Sequence, residues 1–113
     1  MASDLEFVAY VCDQIAGAGR VAYRKMFGEY AIYCDGKVVA LVCDNQFFVK
    51  PTAGGRALIG VPTEGLPYPG AKPWFLVADE LDDREWVVEL MRITAREAPP
   101  PKAKKKKPAR PAG

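Results

Sequence analysis

Hydrophobic positions fall first at helical spacing, then at strand spacing, then at helical spacing again. Leu5, Val8, Val11, Cys12 and Ile15 recur every three or four residues, which predicts an amphipathic helix of about three turns. Ser3 with Glu6 three residues on forms a capping box for its start, and Gly17 or Gly19 closes it. Asp4, Glu6 and Asp13 lie off the apolar stripe, so this helix is suited to covering a sheet. Residues 21–25 alternate loosely and read as a short strand or an extended lead-in. Gly28 then interrupts an apolar run, where a bulge or a close backbone approach is the usual reason.

Residues 26–50 carry the strongest pattern. Asp35-Gly36 and Asp44-Asn45 separate three apolar runs, and these residue types suit the positive φ of tight hairpin turns. Two-residue loops predict an antiparallel meander in which Cys34 faces Lys37, Ile32 faces Val39 and Tyr30 faces Leu41. In the second hairpin Leu41 faces Phe48 and Val42 faces Phe47. One face then holds Tyr30, Ile32, Val39, Leu41, Cys43 and Phe48. The other holds Ala31, Tyr33, Val38, Ala40, Val42, Phe47 and Val49. Both faces are apolar, unlike a half-exposed antiparallel sheet. Either helices cover one face and a partner the other, or one chain wraps both. The expectation is that the second face supports self-association as a homodimer.

After Pro51, Thr52 is placed to cap a short helix over residues 53–59, which Gly54 and Gly55 weaken. Residues 60–73, with four prolines and three glycines, read as an irregular connection. Residues 74–77 predict a further strand. Asp82 with Glu85 three on suggests a second capping box, and Trp86, Val87, Leu90, Met91 and Ile93 form the buried stripe of a closing helix that ends near Glu97.

Composition divides the chain at residue 98. Half of the 113 residues are hydrophobic, enough for one core and too few residues for two. Residues 1–97 hold ten basic and 14 acidic residues, a net of −4, whereas 98–113 hold six basic residues and no acid. That last segment is rich in proline and lysine and lacks large apolar side chains, so a disordered tail is expected. Lys102, Lys104, Lys105, Lys106, Lys107 and Arg110 could attract nucleic-acid phosphates without reading sequence, or serve only to solubilise.

Candidate chemistry is sparse. The three cysteines, Cys12, Cys34 and Cys43, form no Cys-x-x-Cys pair, and there is no histidine to complete a zinc site or act as general base. Cys34 and Cys43 stand roughly 20 Å apart in the predicted register, too far for a disulfide, so reduced buried thiols and a cytoplasmic setting are expected. The N-terminus lacks the pattern of a signal peptide, and no apolar run is long enough to span a membrane. Asp79, Glu80, Asp82, Asp83 and Glu85 crowd together, but a helix N-terminus favours acids for dipole reasons. Lys50 beside Phe47 and Phe48 suits a nucleic-acid platform or a strand-end lysine reaching water. No catalytic residue, metal or cofactor is expected.

Arg24-Lys25-Met26-Phe27-Gly28-Glu29-Tyr30, followed by Ile32-Tyr33 and Asp35-Gly36, resembles the N-terminal domain of the TfoX/Sxy family of bacterial competence regulators. The similarity extends through residues 40–42, Lys50, Trp74-Phe75 and Trp86, and so covers nearly all of residues 3–97. Glu29 and Ala31 stand where that family often has glycines. The resemblance implies a two-layer α+β domain, an antiparallel β-meander with helices packed on the sheet. It also implies a non-enzymatic regulatory or protein-interaction role, with a protein partner in transcription. The chain is thus expected to comprise a domain over 1–97 and a tail over 98–113.

Overall fold

A single antiparallel sheet carries the chain, and the computed structural model describes it through residues 4–26 and 29–98. Helix α1 (Leu5–Ile15) passes through a 3-10 turn (Ala16–Ala18) into strands β1 (Val21–Met26), β2 (Glu29–Cys34), β3 (Lys37–Cys43) and β4 (Gln46–Val49). Helix α2 (Ala53–Ile59), β5 (Glu64–Gly65), β6 (Trp74–Val77), a second 3-10 turn (Asp79–Asp82) and α3 (Arg84–Glu97) complete it. The strand order is β1-β2-β3-β4-β6-β5, with every pairing antiparallel. The expected α+β architecture of a meander under helices is the one that forms. Residues 21–25 resolve into the edge strand β1, and the irregular 60–73 connection contains the two-residue strand β5. Ser3, Phe27, Gly28 and the basic residues 102–110 lie outside the described residues.

The turns follow their chemistry. Asp35 (φ 54°) with Gly36 (φ 85°), and Asp44 (φ 54°) with Asn45 (φ 56°), all adopt the positive φ that a type I′ loop needs. The β3–β4 register is as expected, with Leu41 opposite Phe48 and Val42 opposite Phe47. Between β2 and β3 the expectation holds only next to the turn. Cys34 faces Lys37, but a bulge at Ile32/Tyr33 shifts the rest, so Ile32 faces Ala40, Ala31 faces Leu41 and Tyr30 faces Val42. The extra residue on β3 is Val39, which turns into the core beside Ala40. This corrects the faces. Ile32, Ala40, Val42, Phe47 and Val49 share one side, and Ala31, Tyr33, Val38, Leu41, Cys43 and Phe48 share the other.

The first side meets the helices. Val8, Val11 and Ile15 of α1 and Val87, Leu90 and Met91 of α3 join Ile32, Val42, Phe47, Phe75 and Val77 in one core cluster. Leu5 falls outside it and is exposed. Gln14, the buried amide of α1, is bonded at both ends: its Nε2 donates to the Leu81 carbonyl (2.9 Å) and its oxygen accepts from Arg84 (3.0 Å). Two helix starts differ from expectation by one residue. Asp4 occupies the N-cap position of α1, and Asp83, not Asp82, caps α3 by accepting the Trp86 N–H (3.2 Å). Thr52 caps α2 as expected, accepting from Gly55 N–H.

Candidate functional site

The side of the sheet away from the helices is only partly covered. Phe48 is buried there because the chain returns over it: a Cβ on Gly65 would lie 3.1 Å from the Phe48 ring. Next to this cover an apolar cleft of about 490 Å³ stays open, lined by Met26, Glu29, Tyr30, Leu41, Cys43 and Tyr68. Met26 is 41% exposed and Tyr68 56% exposed, so the cleft has an apolar rim as well as an apolar floor. The chain thus wraps part of the second apolar face and leaves the rest of it open.

Glu29 is the charged group of this cleft, and it accepts the Asp44 N–H (3.2 Å) at the β3–β4 turn. Burial, reinforced by the Glu29 charge, pushes the Cys43 thiol up to about 11. Burial likewise raises Cys12, and burial together with Asp35 raises Cys34. All three thiols are free and protonated at neutral pH, which makes them poor nucleophiles.

The residues singled out by sequence scatter over several structural jobs. Arg24 is exposed on β1, and Met26 ends that strand at the cleft. Tyr30 is buried, with the Tyr23 ring edge-on at 5.7 Å. Asp35 and Gly36 form the β2–β3 turn, where the Asp35 carboxylate accepts the Arg20 N–H (2.9 Å) and the Asp35 N–H returns to the Arg20 carbonyl (2.8 Å). Lys50 lies over the Trp74 ring at 5.4 Å, so this strand-end lysine is paired with an aromatic face of its own chain. Trp86 packs half-buried against the core from α3. Only Met26 and Tyr30 of this set meet in the cleft; Phe27 and Gly28 lie outside the described residues. Sequence reasoning missed Tyr68 and the exposed Tyr23. Their signal was an aromatic stranded among prolines and one in a strand otherwise rich in charge.

The acidic cluster is largely spent locally. Asp83 caps α3, Glu80 accepts the Ala78 N–H (3.2 Å), and Asp82 accepts the Tyr10 hydroxyl, which raises that phenol. Among the described residues no three His, Cys, Asp or Glu side chains converge as metal ligands, and no helix is long and apolar enough to cross a membrane.

One antiparallel sheet, a helical layer on one face and an apolar cleft on the other define a small α+β domain whose distinctive surface is a hydrophobic recess. The chain belongs to the TfoX N-terminal domain family, which it matches over residues 13–98. It is also 43% identical over 107 residues to an uncharacterized 12.7 kDa protein in the trpE 5′ region of Spirochaeta aurantia, covering 95% of this chain and 93% of that one.

Proposed function

We propose that the chain is a non-enzymatic regulatory domain that works by protein interaction, linked through its family to transcriptional regulation of competence. The observation that carries this reading is the apolar cleft left open opposite the helices. Apolar surface exposed at Met26, Tyr68 and Leu66 on a domain this small is costly unless something covers it. A second copy is the occupant favoured here, since the sheet is apolar on both faces and the chain wraps only part of the second. Sedimentation of the full chain tests this. We expect a dimer that Met26→Glu converts to monomer without loss of fold. A wild-type chain that stays monomeric up to about 1 mM, an affinity range weaker than ordinary specific association, overturns it.

A second reading rests on a different observation, the six cations and absent acids of residues 98–113. Such a segment supports non-specific nucleic-acid binding through counterion release, as an accessory function alongside the folded domain.

A further inference from the structure

We propose that β1 accepts an extended acidic segment of a partner protein as an added strand. The proposal rests on reading the chain as an interaction module, and it assigns that module a partner at a surface distinct from the cleft. The two sheet edges differ. The β5 edge has two residues, too few to template a strand, whereas β1 is a six-residue edge without proline. Its hydrogen-bonding phase follows from the turn: the Asp35 N–H bonds the Arg20 carbonyl, so Ala22, Arg24 and Met26 also direct their backbone groups toward β2. Val21, Tyr23 and Lys25 therefore present their N–H and C=O groups outward, ready for an incoming strand.

Side chains select what binds. Arg20, Ala22 and Arg24 follow one another on the face away from the helices, and with Tyr33 and Asp35 they line a groove of about 530 Å³. Small Ala22 stands between Arg20 and Arg24 along this face. An acidic residue opposite Ala22 on the added strand would be flanked by both. Tyr23, 47% exposed on the other face, offers its ring to an apolar residue directly opposite. Among the described residues, none of Arg20, Arg24 and Lys25 has an ion-pair partner. Asp35, the acid of the groove, is occupied by the Arg20 N–H. A peptide fits better than a nucleic acid, because the open edge alternates donors and acceptors, whereas a phosphate backbone offers acceptors alone.

The test uses the full chain with Lys102, Lys104, Lys105, Lys106, Lys107 and Arg110 changed to Gln, so that the tail cannot capture the acidic probe. Fluorescein-labelled peptides of alternating valine with glutamate, glutamine or lysine are titrated by anisotropy, and the glutamate peptide is followed by amide NMR. We expect binding of the glutamate peptide alone, shifts centred on residues 21–26, and a roughly tenfold loss with Arg24→Gln. N-methylation of the peptide along its bonding edge should abolish binding. Shifts centred on Leu41 and Tyr68, affinity unchanged by Arg24→Gln, or displacement by oligothymidine each overturn the strand site. Sedimentation of the same sample is a separate readout: loss of peptide binding with self-association intact overturns this proposal and leaves the cleft reading standing.

Discussion

At the residue scale, Gly55 shows how a poor helix former can be the residue a helix needs. A Cβ there would approach the Thr52 hydroxyl to 2.8 Å, Leu90 Cδ1 to 3.3 Å and Phe75 Cε2 to 3.4 Å. The Thr52 oxygen is the cap of α2, and Leu90 and Phe75 are both fully packed. Gly55→Ala gains up to about 1 kcal/mol of helix propensity, but it displaces a cap worth about 1 kcal/mol and overpacks the core by about 1–3 kcal/mol. Net destabilisation of about 1–3 kcal/mol is expected in urea unfolding. Gly54 is tight against other atoms, the Glu97 carboxylate and Ile93, the latter 2.6 Å from where its Cβ would stand. Cys43 makes a pH prediction. Its folded pKa of about 11 lies above the ordinary thiol value, so between those two pH values the unfolded chain gives up a proton that the folded chain keeps. Its contribution is fully present below the ordinary thiol range and declines as pH rises toward 11. The fall in urea midpoint from pH 8 to pH 10 should therefore be smaller in Cys43→Ala than in the wild type, by a margin the two curves measure directly.

At the element scale, α3 depends on which aspartate begins it. Asp83→Ala removes the acceptor for Trp86 N–H and should cost about 1 kcal/mol. Asp82→Ala leaves that cap in place and loses only the exposed bond from Tyr10, so its cost should be well under half as large in the same denaturation assay. A reversal of that order would put the helix start at Asp82 after all. The one-residue ambiguity was built into the sequence, since Asp82-Asp83 offers two capping residues in a row and Asp82 is taken up by a 3-10 turn, bonded to Gln14 at the Leu81 carbonyl, that no local pattern marks. The strands show the same division between legible and hidden. Turn residues announce themselves through positive φ, so both hairpins could be placed, and the short second hairpin kept its register to the end. The bulge in the first hairpin carries no such mark. Val38 and Val39 are alike, no glycine punctuates them, and an unbroken apolar run fits either register. That single extra residue moved Leu41 and Cys43 to the side opposite Ile32, where they line the cleft.

At the scale of the whole molecule, charge and hydrophobicity are partitioned between parts that can be tested separately. The segment 1–97 is net negative and should repel polyanions, while residues 98–113 carry six positive charges and no negative ones. If the tail supplies the affinity for duplex DNA, full engagement gives a log–log salt slope near roughly −5. Changing Lys102, Lys104, Lys105, Lys106, Lys107 and Arg110 to Gln should then abolish retention on DNA while leaving the sedimentation profile unchanged. Met26→Glu should do the reverse, removing self-association at the cleft and shifting the salt slope little, because each tail still engages phosphates on its own. The affinity itself should weaken, since a dimer presents two tails at high effective concentration and a monomer only one. DNA retention that survives tail neutralisation would place the contact on the folded domain, where Arg20, Arg24 and Lys25 line the β1 edge and have no ion-pair partner among the described residues.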